Sequence, residues 1–90
     1  MKNLDNLLER ANKAIEQLGL EGLFTAFYRE GNDWCQVDVE ADLDGIYLGS
    51  LYCLDDDDSE EEIAKQIKAW FEGKVKPDLI SYKEQIEKYI

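Results

Sequence analysis

Histidine is absent from this 90-residue chain, and proline is nearly so, occurring only at Pro77. Without histidine the chain lacks the commonest general base, the usual activator of a nucleophilic serine or cysteine, and the commonest nitrogen ligand for zinc. Cysteine is scarce too, limited to Cys35 and Cys53, with no Cys-x-x-Cys pair and no framework of the kind that staples small secreted domains. Both fall in segments that read as strands, in a register that points them to opposite faces, so free, buried or half-buried thiols are expected. No apolar run approaches the roughly 18 residues of a membrane helix. The opening Met1-Lys2-Asn3-Leu4-Asp5 lacks the apolar region of a signal peptide, so a cytoplasmic location is expected. Glycine-rich phosphate loops and nucleophile elbows are missing as well. Carboxylate pairs are plentiful, but every one lies in a polar stretch without the apolar pocket that would tune one member as an acid. The chain reads as a non-enzyme with no cofactor and no metal centre.

Positive charge is the next shortage. Ten Lys and Arg stand against 21 Asp and Glu, a formal net charge of −11. The chain is nevertheless no disordered acidic tail, because 44% of its residues are apolar, enough to offset the ordering entropy of a single small domain. The shortage is also local. Between Glu30 and Ala64 lie thirteen acids (Glu30, Asp33, Asp38, Glu40, Asp42, Asp44, Asp55, Asp56, Asp57, Asp58, Glu60, Glu61 and Glu62) and no Lys or Arg, while the remainder is close to neutral. Segregation of this kind makes a directional field that acts on association more than on fold.

What is present reads as an α+β domain in the order α-β-β-β-α-α. Leu4, Leu7, Leu8, Ala11, Ala14, Ile15 and Leu18 form the stripe of an amphipathic helix over 4–18, with Asn3 as a start and Gly19 as a left-handed stop. The period then changes. Residues 23–30, 33–41 and 46–54 are rich in aromatic and β-branched side chains and are separated by Gly31-Asn32 and Asp44-Gly45, both two-residue hairpin signals. A three-stranded antiparallel meander follows. Its register puts Phe24, Ala26, Tyr28, Cys35, Val37, Val39, Ala41, Leu48, Ser50 and Tyr52 on the core face. The opposite face receives Leu23, Thr25, Phe27, Arg29, Trp34, Gln36, Asp38, Glu40, Tyr47, Gly49, Leu51 and Cys53. Ser59 and Glu62 have the spacing of a capping box for a helix over 60–72, which Gly73 should end. Pro77 then breaks the chain ahead of a shorter helix, begun at Pro77 or Ser81 and ending at Ile90.

Three features are candidate sites. The run from Asp55 to Glu62 holds seven acids in eight residues. One or two acids gain from the dipole at a helix start, but that benefit fades within a turn and the rest repel one another. Glu40 to Gly45 is spaced like the opening of a calcium-binding EF-hand loop, yet the twelfth position is Leu51 rather than a bidentate Glu, and an Asp-Gly hairpin explains the same residues. The third is the face that carries Trp34, Phe27 and Tyr47 beside Asp38 and Glu40: either a contact surface, or apolar groups that the last helix wraps over and buries. Surrounding carboxylates argue against direct binding of nucleic acid.

In size, element order and the acidic strand-to-helix segment from Asp38 through Glu62, the chain resembles the small acidic inhibitors carried by phages and other mobile elements, among them anti-CRISPR proteins and DNA mimics. The resemblance rests on no sequence motif. It implies a protein that places carboxylates where a nucleic-acid-handling partner expects phosphates. On that reading Asp38, Glu40, Asp42, Asp44, Asp55 to Asp58 and Glu60 to Glu62 dock on a basic protein. The alternative is a non-catalytic interaction or assembly module, including a homodimer, that uses the Trp34, Phe27 and Tyr47 face.

Overall fold

The computed structural model describes residues 4–87, with side-chain environments as far as residue 84. Helix α1 (Leu4–Gln17) buries Leu7, Ala11, Ala14 and Ile15. It stops as its sequence demands. Gly19 takes a left-handed φ of +70°, its N–H donates to the Glu16 carbonyl (3.0 Å), and the Leu20 N–H donates to Ile15 (3.1 Å). That is the paired hydrogen-bonding of a Schellman stop, open to glycine because no Cβ opposes the positive φ.

Strands β1 (Phe24–Glu30), β2 (Cys35–Leu43) and β3 (Ile46–Leu51) form one antiparallel sheet in that order. The first hairpin pairs Glu30 with Cys35, so four residues, not two, make its loop. The Gly31 N–H closes the loop on the Trp34 carbonyl (2.9 Å), and the Trp34 indole lies so close to Gly31 that any Cβ there would meet the ring. The pairing is thus two residues out of the expected register. A shift of two preserves side-chain parity, so Phe24, Ala26, Val37, Val39 and Ala41 still share the core face.

The second hairpin turns at Asp44-Gly45 as expected, with φ values of +53° and +83° and Leu43 opposite Ile46. Beyond Tyr47 the regular ladder fails. Ala41 pairs with Gly49 and Val39 with Leu51, which leaves Leu48 as the extra residue of a β-bulge. Parity inverts at that point. Gly49 (φ +123°) approaches the Trp70 ring on the helical side, while Ser50 joins Tyr47 on the opposite face. The placement of Ser50 and Tyr52 on the core face is therefore overturned, as is that of Gly49 and Leu51 on the other. The strand ends at Leu51, short of residue 54, because Cys53 has a left-handed φ of +54°. The Leu54 N–H still donates to Val37 (2.9 Å) and its side chain enters the core. Both cysteines are free but exposed, which corrects the expectation of buried thiols.

Helix α2 (Glu60–Trp70) starts at Ser59, whose Oγ accepts from the Glu62 N–H (3.2 Å). The expected break at Gly73 and Pro77 does not occur. Residues Phe71–Val75 form one π-helical turn, in which the Lys76 N–H reaches Phe71, and α3 (Lys76–Glu87) continues from it. Proline inside an α-helix strains against the carbonyl four residues earlier, which here belongs to Gly73; the wider turn and the missing side chain relieve that crowding. The expected end at Ile90 lies outside the described residues.

Helices α1 and α2 lie together on one face of the sheet. Leu7, Val37, Val39, Ile63, Ile67 and Val75 are fully buried between the layers, and Phe24 packs on Trp70 (5.2 Å between ring centroids) and edge-on to Phe71 (6.0 Å). Each large apolar side chain buried here contributes about 1.5–3 kcal/mol. Helix α3 borders the β2–β3 turn, where Leu43, Ile46, Leu48, Leu79 and Tyr82 line an apolar groove of about 170 Å³.

Candidate functional site

Two surfaces gather the residues singled out from the sequence. The first is the acidic run, whose shape comes from α1. Arg10 reaches from that helix to the backbone carbonyls of Asp56 (2.9 Å) and Asp58, so the guanidinium holds the main chain of the loop. Within the loop the Asp57 N–H donates to the Asp55 carboxylate (2.9 Å), and Gln66 of α2 donates to that of Asp58. The side chains of Asp55, Asp57, Glu61 and Glu62 are exposed, and those of Asp56, Asp58 and Glu60 are half-buried. Carboxylate oxygens of Asp55, Asp56 and Asp57 lie within 4.8 Å of one another. Crowding acts on the first turn of α2. The hydrogen bond with Asp58, together with the repulsion between the two carboxylates, raises the Glu62 pKa above the ordinary value.

The second surface is the sheet face turned away from the helices. Among the described residues no helix covers it, so of the two alternatives the one in which the last helix buries this face is not met: Tyr47 is 53% exposed and Tyr52 58%. At its centre lies Asp38, fully buried although charged. Burial alone pushes its pKa up. Three donors reverse that push: the Cys53 N–H (2.8 Å), Arg29 Nε (2.5 Å) and Gln36 Nε2 (2.9 Å), which together hold the carboxyl below its ordinary value. The Arg29 guanidinium stacks over Phe27 (5.5 Å) and Tyr52 (5.3 Å), half exposed between the rings. Tyr47 hydrogen-bonds Ser50 Oγ (2.6 Å), which favours the phenolate; neighbouring Tyr52 and Glu40 outweigh it and raise the Tyr47 pKa.

The expected site residues are therefore divided. Asp38 is no surface carboxylate, since its charge is committed to Arg29 and to backbone that would otherwise lack a partner. Trp34 is exposed but sits in the hairpin loop against Gly31, outside the paired sheet that carries Phe27 and Tyr47. Asp42 and Asp44 stand at the β2–β3 turn, where Asp42 Oδ1 accepts from the Gly45 N–H (3.1 Å) in a hairpin rather than a calcium loop. That turn precedes β3 and the acidic run follows it, and a six-residue strand spans about 20 Å at the usual rise. The acids form two clusters, not one continuous patch.

Arg29, Gln36, Ser50 and Tyr52 are the participants that sequence reasoning missed. Arg29 and Gln36 were legible, because both share the expected face with Asp38 and a lone base beside a central acid signals a pair. Tyr52 and Ser50 were hidden behind the bulge. The chain matches no protein-family model, no curated protein and no solved structure.

No helix among the described residues is long and apolar enough to cross a membrane. The outer sheet face sets carboxylates beside exposed aromatic rings.

Proposed function

We propose that this protein acts by binding rather than by chemistry, as an acidic inhibitor that docks on a basic, nucleic-acid-handling protein. The observation that carries the reading is the fate of the thirteen acids between Glu30 and Ala64. Twelve are exposed or half-buried, and only Asp38 is withdrawn into the fold. Keeping so many like charges at the surface costs stability, and a partner of opposite charge offsets that cost on binding. The field would speed encounter, and occupation of the basic groove would exclude the partner's own polyanion. Arg10 supports the same reading, because its grip on main-chain carbonyls presents the Asp55–Asp58 loop in a set shape, with Asp55 and Asp57 exposed.

The test begins with capture of partners from lysate at low and high salt, followed by binding kinetics against the nucleic-acid-handling protein recovered. Changing Asp55, Asp56, Asp57 and Asp58 together to Asn should slow association at least tenfold and alter dissociation much less, since exposed charges act mainly on encounter. Asn can still accept the Asp57 and Gln66 hydrogen bonds, so the loop should keep its shape. Binding should weaken steeply as salt rises, because screening at 0.15 M already confines surface charge to about 8 Å. A flat salt response, or a quadruple variant that associates like the parent, would overturn the proposal.

A further inference from the structure

The open sheet face has an occupant that its own chemistry describes. Strands of six to nine residues, about 4.8 Å apart, make a face roughly 10 Å wide and 20 Å long. That is the footprint of one α-helix, and far less than the roughly 800 Å² per partner that a standard globular interface buries. The other face of the same sheet is already covered by helices, so a helix here would complete a three-layer arrangement.

Charge decides what kind of helix fits. Arg29 is the base on this face, and buried Asp38 neutralises it. Glu40 and Asp42 then leave the face negative, which disfavours a second copy of a chain of net charge −11. Phe27 and Tyr52 already carry a guanidinium across their rings, and Tyr47 stands beside Glu40 with its hydroxyl held by Ser50. Exposed rings next to carboxylates suit side chains that are cationic at the tip and apolar along the stem.

We infer that the outer face of the sheet is the docking site for a single basic amphipathic helix of the partner, with its arginines or lysines on Tyr47, Tyr52 and Glu40 and its apolar ridge over Phe27. This rests on the acidic-binding reading above and goes beyond it, because it assigns the central contact to the sheet and leaves the Asp55–Glu62 run as its rim.

The test uses two synthetic 18-residue helical peptides against the isotope-labelled full chain. One carries a leucine ridge flanked by arginines; the other has the same arginines and serine in place of leucine. Amide shifts centred on Phe27, Tyr47, Ser50 and Tyr52 with the leucine peptide, and affinity about tenfold lower for the Tyr47→Ser/Tyr52→Ser variant, support the inference. Both tyrosines are exposed, and an unchanged spectrum elsewhere shows that the variant folds. Shifts confined to Asp55–Glu62 would overturn the assignment to the sheet while leaving the acidic-binding reading in place. Shifts with neither peptide, or shifts unmoved by added salt, would overturn both. A doubling of mass with concentration, with line broadening at the same four amides, would put a second copy there instead and likewise overturn it.

Discussion

Asp38 sits where the needs of fold and surface meet. Its folded-state pKa is depressed, so the stability it supplies is present above the unfolded carboxyl value of about 3.9 and is lost as pH falls through the folded value. Asp38→Asn removes the charge and keeps one acceptor for the Cys53 N–H, but it leaves Arg29 without its counter-charge. Loss of that hydrogen-bond network should cost about 2 kcal/mol at pH 7. Urea unfolding of parent and variant from pH 7 to pH 2.5 should show the gap closing only at the acid end. A gap of constant size would mean that the ionised form of Asp38 is not what the fold uses. Sequence parity alone put Asp38 on the outer face correctly. What parity could not show was that Cys53, fifteen residues further along the chain, would turn its N–H inward to meet it.

At the scale of elements, the helix that runs through Gly73 makes a sharp expectation. Gly73 lies within the π-helical turn, its φ is not in the left-handed region, and a Cβ there would meet nothing within 4 Å. Gly73→Ala should therefore stabilise the protein by about 0.5–1 kcal/mol, by removing backbone freedom from the unfolded chain. Denaturant midpoints measure this directly, and a destabilised variant would place Gly73 at a left-handed helix stop after all. The elements that local chemistry dictates were the legible ones. Leu7, Ala11, Ala14 and Ile15 announced α1, Gly19 its end, Ser59 the start of α2, and Asp44-Gly45 the second turn. The misread features depend on contacts distant in sequence or on single-residue insertions. Trp34 widens the first hairpin by lying on Gly31, Leu48 breaks the third strand's alternation, and the π-helical turn carries the helix past Pro77. None has a local signature strong enough to outweigh the turn and breaker residues nearby.

Across the whole molecule, self-repulsion governs how stability answers to solvent. The raised pKa of Glu62, caused by Asp58, means that its protonated form is favoured by folding; the associated stability is present at low pH and lost as pH rises through the folded value. With a net charge of −11 the same sense of repulsion acts on the acidic segment at large. The melting temperature at pH 7 should rise by several degrees between about 20 mM and 500 mM sodium chloride, since about 1 kcal/mol shifts a domain of this size by 4–8 °C, and it should rise again on acidification toward pH 5. Differential scanning calorimetry across both series checks it. A melting temperature indifferent to salt would mean that surface repulsion contributes little to the energy of the folded state. The two acidic clusters, one at the β2–β3 turn and one at the start of α2, are elements of that field as much as of any contact surface, and the strand expected between Asp44 and Asp55 is what separates them along the chain.

The bulge at Leu48 has one more consequence. A three-stranded sheet has two open margins, and β3 is one of them. A straight margin would offer its free backbone groups to any neighbouring chain as a template for fibrous growth. The irregular spacing at Leu48 and the left-handed Gly49 interrupt that template in the middle of the strand. The same insertion that brings Ser50 round beside Tyr47 thereby breaks the regularity of the β3 margin.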